Sequence, residues 1–219
     1  AMIAHQGPRA EAMLKDLTSA DLSSLRLFRA VEARVAGADT LLARTGYTGE
    51  DGFELILPRE AGADVWRTLM DRGAVPCGLG ARDVLRLEAG LLLHGNDMDT
   101  STNPYEAGLD RFVSHDREGY VSGDALRGIH QQGVSRRLAA FVVVGRGIAR
   151  HGFPIMDGSR QIGEVSSGGH SPTLDRSIGM GYVPTGYSTT GSRFQVDIRG
   201  RLVEVEVTEL PFYSRRKSA

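Results

Sequence analysis

Over residues 29–36 and again over 53–57 apolar and polar side chains alternate, the period of a half-buried strand. Val31, Ala33 and Val35 alternate with Glu32 and Arg34, a Gly37-Ala38-Asp39 turn follows, and Thr40 to Arg44 resumes as a short apolar strand. After a glycine-rich interval Phe53, Leu55 and Leu57 alternate with Glu54 and Ile56. This predicts a β-hairpin with the three larger apolar residues on one face and Glu54 turned to the other. Helical spacing flanks the block. Pro8 fits the first turn of a helix to about Leu17, and Asp21 to Leu27 reads as a second short helix capped by Ser19 or Asp21. Ala61 to Arg72 places Ala61, Val65, Leu69 and Trp66 on one side, with Gly73 as its stop, and Gly78 to Leu93 gives a further helix that Gly90 interrupts. Gly119 to Ile129, with Ser122 as cap, is the last helix expected.

From Ser135 the pattern turns β-rich. Leu138 to Val144, Gln161 to Ser166 and Arg176 to Val183 read as strands, and strict alternation marks Phe194, Val196, Ile198 and then Val203, Val205, Val207. Short strands separated by Gly, Pro and Ser turns predict a compact antiparallel barrel or sandwich. The class is therefore α+β. The expected division is a first α+β part over 1–76 holding the glycine-rich hairpin, a helical part over 77–134, and a β-barrel over 135–219.

Composition narrows the partners. The 219 residues hold 26 Lys and Arg against 27 Asp and Glu, a net charge of -1, so no global field points to nucleic acid. Arg215-Arg216-Lys217 is a basic run at the end of the chain. Cys77 is the single cysteine, which excludes an internal disulfide and fits a reducing compartment. No apolar run reaches the length of a membrane span, and no charged region followed by an apolar one predicts export. A cytoplasmic protein without a membrane partner is expected.

The chemistry concentrates in Ala43 to Leu57, ARTGYTGEDGFELIL. Gly46, Gly49 and Gly52 offer places for positive φ, with Glu50 and Asp51 as the polar tip of the turn. Glu54, on a strand beside Ile56, is a carboxylate in need of donors: an ion pair on an edge strand, or a ligand. Arg82 falls near the positive end of its helix, where a cation is unfavourable unless an anion such as Glu50, Asp51 or Asp83 compensates. Arg86 reads as structural and His94 as a loop histidine without a second ligand, so no metal site is expected. Gly145-Arg146-Gly147 and Gly179-Met180-Gly181 stop short of a dinucleotide fingerprint, and Walker, HExxH and GxSxG motifs do not occur.

The wording RTGYTGEDGFE, with GLGARDVLRLEAG at 78–90, resembles the T-protein of the glycine cleavage system. Similar segments extend the likeness over nearly all of the chain: Asn103 to Leu109, Ser166-Ser167-Gly168, Gly179 to Pro184 and Leu210 to Tyr213. The resemblance implies a folate-binding α/β region followed by a C-terminal antiparallel barrel. It also implies a tetrahydrofolate-dependent aminomethyltransferase whose partner is the lipoylated H-protein. It carries Tyr47, Glu54 and Arg82 into the folate site, with Arg215 as a further contact for folate or substrate. A pterin edge presents adjacent N–H donors, and an ionised carboxylate is an acceptor that can take two of them. The likeness begins inside the family's pattern, at Ile3-Ala4-His5-Gln6-Gly7-Pro8, which implies a chain truncated at its N-terminus. The family's catalytic Asp would then precede residue 3, so no residue here is assigned to catalysis. The alternative is a non-catalytic folate-binding module or assembly factor of the same fold. Self-association through a sheet face left open is a further expectation.

Overall fold

The computed structural model describes residues 1–215. Two compact units divide them, Ala1–Leu91 with the end of the tail, and Leu92–Tyr213.

In the first unit β1 (Met2–Gln6), β2 (Ala30–Val35), β3 (Ala38–Ala43) and β4 (Gly52–Ile56) form an antiparallel sheet in the order β1-β4-β3-β2. The turn between β2 and β3 is tighter than the sequence implied. Ala36 and Gly37 both take positive φ, 48° and 84°, so Val35 pairs with Ala38 directly. The alternation of β4 is borne out: Phe53, Leu55 and Leu57 are buried, while Glu54 is half-buried and Ile56 exposed. Helices α1 (Ala10–Leu14) and α2 (Gly62–Asp71) cover the inner face. Their Leu14, Val65 and Leu69 join Ile3, Val35, Leu42, Phe53 and Leu55 in one core. Trp66 stays 42% exposed, off the buried stripe. On the outer face Met2, Leu41 and Ile56 are exposed around Glu54. Helix α3 (Leu79–Glu88) completes the unit.

The helix expected over Asp21 to Leu27 does not form. The Asp21 carboxylate accepts from the Ser23 amide at 3.0 Å and from the Ser23 hydroxyl at 2.6 Å, and the Ser24 hydroxyl donates to the Asp21 carbonyl. These local bonds compete with a helical ladder.

In the second unit α4 (Gly123–Gln132) begins after Ser122, which sits in the left-handed region at φ 66° and makes no side-chain cap, contrary to expectation. Six strands then close a barrel in the order β10-β5-β8-β7-β6-β9. They are β5 (Arg136–Val143), β6 (Pro154–Asp157), β7 (Arg160–Ser171), β8 (Arg176–Pro184), β9 (Arg193–Asp197) and β10 (Leu202–Thr208). Closure leaves no free edge. Phe141, Ile155, Val165, Val196 and Val205 are fully buried in its core. Glycine permits the closest approach of strands. A Cβ on Gly163 would lie 1.9 Å from the Tyr182 carbonyl oxygen, which no side-chain movement relieves.

Truncating a buried ring should cost far more than truncating a surface residue. Phe141→Ala is expected to destabilise the barrel by about 3–5 kcal/mol, whereas Val121→Ala, at a residue 92% exposed, should change stability by less than about 0.5 kcal/mol. Urea midpoints followed by circular dichroism measure both.

Candidate functional site

Loop 44–51 joins two neighbouring strands, β3 and β4, and its own polar groups cannot all be met within it. Arg44 closes it. Its Nε donates to Asp51 Oδ1 at 3.0 Å and its Nη2 to Asp51 Oδ2, so the loop's first and last residues form a two-pronged pair. The same guanidinium donates to Glu11 on α1 and to the carbonyls of Leu22 and Leu25, at 2.8 and 3.2 Å. Arg44 thus binds the loop, α1 and the 22–25 turns to one another. Asp51 is therefore not the solvated tip the sequence implied. Hydrogen bonding to Arg44 holds its carboxyl below the usual range against the opposing effect of burial, helped by the Arg44 charge, the Gly52 amide and Arg215.

Gln6 supports the loop from beneath. Its Nε2 donates to the carbonyls of Thr45 and Phe53, at 3.0 and 3.3 Å, and its Oε1 accepts from the Thr48 hydroxyl at 3.2 Å. Two of the glycines are explained by this side chain and not by positive φ. A Cβ on Gly46 would stand 1.8 Å from Gln6 Oε1, and one on Gly52 2.6 Å from Gln6 Cδ. Gly49 alone of the three takes positive φ, 76°.

On this frame Tyr47 and Arg82 come together: the Arg82 guanidinium lies 4.8 Å from the centre of the Tyr47 ring. Of the three anions expected for Arg82, Asp51 pairs with Arg44 and Asp83 accepts from Arg86 Nε at 2.8 Å, and no ion pair joins Glu50 to Arg82 among the described residues. An aromatic face takes their place. Arg86, 2% exposed, also donates to the Leu91 carbonyl and is a structural residue of α3. Glu54 stands on an interior strand, between Ala4 of β1 and Ala43 of β3, not on an edge. Among the described residues it has no hydrogen-bond or ion-pair partner. Arg215 approaches Asp51 at 3.8 Å, and the remainder of the basic run, Arg216 and Lys217, lies outside the described residues.

Several polar residues outside this candidate site are buried or half-buried and paired, among them the half-buried Glu106, which the sequence offers as a helix cap or partner contact. In the second unit Asp97 is fully buried and accepts from the Ser166 hydroxyl and the Leu93 amide, while the Tyr182 hydroxyl donates to the Asp97 carbonyl at 2.6 Å. Burial, above all, pushes the Tyr182 phenol up to about 12. Glu106 receives Arg136 at 3.3 Å and the Asn103 amide at 3.3 Å. These groups satisfy one another, as structural anchors do. The Asn103-to-Glu106 spacing of a capping box was the readable signal for one of them. No group of three or more metal-ligating side chains occurs among the described residues.

An α+β unit whose glycine-rich loop is clasped by Arg44, in a chain that also forms a closed six-strand barrel, defines the architecture. The family models give the particular membership. Residues 1–117 match the GCVT N-terminal domain and residues 136–214 the glycine cleavage T-protein C-terminal barrel domain. The chain belongs to the glycine cleavage T-protein family. It is 45% identical over 217 residues to an aminomethyltransferase of Thermosynechococcus vestitus, covering 99% of this chain and 59% of the relative. To an aminomethyltransferase of Rubrobacter xylanophilus it is 46% identical over 219 residues, covering 100% and 58%. The crystal structure of the glycine cleavage system aminomethyltransferase T from Bartonella henselae superposes with a TM-score of 0.90 at 34% identity, over 98% of this chain and 60% of that one. The chain thus spans about three-fifths of the length of these relatives. Among the described residues no helix is long and apolar enough to cross a membrane.

Asp51 sets a pH signature. Its folded pKa lies below the unfolded value, so its stabilisation is complete above the ordinary carboxylate pKa and disappears as pH falls through the lower folded value. Asp51→Asn should therefore lower stability at neutral pH and flatten its loss on acidification, read from unfolding midpoints between pH 7 and about pH 2. Arg44→Met, which strands the carboxylates, should cost on the order of 3 kcal/mol at neutral pH.

Proposed function

We propose that this chain carries the tetrahydrofolate-binding part of an aminomethyltransferase. In this reading Glu54 accepts the N–H donors along the pterin edge, Tyr47 and Arg82 offer a stacked aromatic and cationic wall, and Arg215 meets folate or substrate near the glycine-rich loop. The observation that supports it best is Glu54: a half-buried carboxylate on an interior strand, without a partner among the described residues. Such a group lacks the donors a desolvated carboxylate needs, and a pterin edge supplies them. The Tyr47–Arg82 pair supports it further, because it brings together two residues whose motifs lie on separate elements.

The reaction moves a one-carbon unit from an aminomethyl group on the lipoyl arm of an H-protein to tetrahydrofolate, releases ammonia and leaves 5,10-methylenetetrahydrofolate. The contribution of these residues is orientation. Holding the folate N5 in line with the aminomethyl carbon removes the entropy of a bimolecular encounter from the barrier. None of the residues is assigned the acid–base work, so the polypeptide is read as binding folate without efficient turnover. A non-catalytic folate-binding module shares the same site and differs only in the second assay below. Self-association through the outer sheet face, where Met2, Leu41 and Ile56 are exposed, belongs to the same reading.

Titration calorimetry with tetrahydrofolate should give saturable binding that Glu54→Ala weakens about 10- to 100-fold, the worth of hydrogen bonds to a charged group. Equal affinity in Glu54→Ala would remove the assignment. Assayed with an aminomethyl-lipoyl carrier, the 219-residue chain should release ammonia far more slowly than a full-length relative, and turnover at the relative's rate would refute the binding-only reading.

A further inference from the structure

Gln6, the last residue of β1, reaches both sides of the glycine-rich loop with one amide. Carbonyl oxygens only accept, so the amide nitrogen with its two N–H groups faces those of Thr45 and Phe53, at 3.0 and 3.3 Å. The amide oxygen is left for the Thr48 hydroxyl at 3.2 Å, and that hydroxyl oxygen receives the Glu50 amide at 3.4 Å. These partners bracket the two residues of the loop and strand proposed for folate. Thr45 and Thr48 lie on either side of Gly46-Tyr47, and the Phe53 carbonyl belongs to the peptide bond that leads into Glu54.

Folding alone does not call for this arrangement. Arg44 and Asp51 already join the ends of the loop, and Gln6 is half-buried and adds no apolar area to the core of the unit. Glycine costs backbone entropy wherever its conformational freedom is not used. Neither Gly46 nor Gly52 takes positive φ, yet a Cβ on them would stand 1.8 and 2.6 Å from the Gln6 side chain. Two positions thus give up side chains so that one amide can lie between them. An apolar side chain would fill the same space without direction. Hydrogen bonds fix the planes of the peptides they hold, and with them the angles at which Tyr47 and Glu54 leave the backbone.

We propose that Gln6 is a positioning residue of the folate site, which keeps Tyr47 against Arg82 and aims the Glu54 carboxylate without itself touching folate. This rests on the reading of Tyr47 and Glu54 as folate ligands. A carboxylate that takes two donors from one ligand edge tolerates little error in its direction, since both bonds weaken as they depart from linear. Loss of the Gln6 amide therefore leaves the ligands present and misaimed. Gln6→Met keeps the length of the side chain and removes its donors and acceptor. Gln6→Glu keeps an acceptor for Thr48 but turns a carboxylate oxygen toward two carbonyls, a contact that becomes a hydrogen bond only when the carboxyl carries a proton.

The test titrates tetrahydrofolate into the 219-residue chain and its variants without oxygen, with unfolding midpoints measured alongside. Gln6→Met should weaken binding about 10-fold in the otherwise unaltered chain, and about threefold or less where Glu54→Ala has already removed the carboxylate. Gln6→Glu should bind about 10-fold more weakly than the unaltered chain at about pH 8, and the ratio should close toward about pH 6 as the new carboxyl takes up its proton. A residue that only held the fold together would shift the midpoint and leave the affinity of the folded chain, and its pH profile, unchanged. Two folded Gln6 variants that bind like the unaltered chain, while Glu54→Ala weakens binding, would overturn the positioning role and leave the folate reading standing. An equal effect of Gln6→Met with and without Glu54, or a ratio for Gln6→Glu that does not move with pH, would also overturn it. No saturable binding by the unaltered chain would overturn both. Should Gln6→Met not fold, the pH profile of Gln6→Glu decides.

Discussion

The first unit depends on one guanidinium. Arg44 lies where β3 ends, and its bonds run to the far end of the following loop, to the first helix and to the carbonyls of an irregular segment. Without a cation there, Asp51 and Glu11 would be like charges brought together at the edge of an apolar core, and the carbonyls of Leu22 and Leu25 would need water. The pair is partly buried, 15% and 22% exposed, so solvent screens it less than a surface bridge. Two of the residues proposed for folate, Tyr47 and Glu54, are displayed from the frame this side chain closes. Tyr47 rides on the loop itself, and Glu54 follows three residues after the clasped Asp51.

The glycine-rich loop shows how the same residue type answers different constraints. Gly49 takes a left-handed conformation that other residues adopt at a cost. Gly46 and Gly52 leave room for the Gln6 amide, which replaces solvent for the Thr45 and Phe53 carbonyls. A loop fixed in this way can hold an aromatic ring against Arg82. Electrostatics follow from the geometry: an arginine near a helix N-terminus, unfavourable beside the helix dipole, is accommodated by the negative face of a tyrosine ring. A half-buried carboxylate without donors is costly in stability, and among the described residues Glu54 is such a group.

Much of this arrangement was legible in the sequence because it follows from short-range periodicity. Alternation identified β2 and β4, the burial of Phe53, Leu55 and Leu57, and the barrel strands β9 and β10, while apolar runs pointed to β3 and β5. The strand Pro154–Asp157 was missed, since four residues opening on a proline give little alternation to count. Asp21 to Leu27 has helical spacing, yet serine and aspartate satisfied the backbone locally. Ser122 has the chemistry of a cap but a left-handed backbone that turns its hydroxyl from the helix amides. The family motifs pointed to Tyr47, Glu54, Arg82 and Arg215 as candidates. Arg44 stood within the same motif and drew no notice, because nothing in its neighbours names partners at positions 11, 22, 25 and 51.

The sequence by itself determined the α+β class, the alternating faces and the family, since each rests on residue identity within a short window. Tertiary structure alone decided which charges meet. It gave Asp51 to Arg44 and not to Arg82, and put β4 inside the sheet between β1 and β3. Strand order and ion pairing are long-range outcomes, set by which apolar faces can be buried together, and a linear pattern fixes a strand's faces without fixing its neighbours.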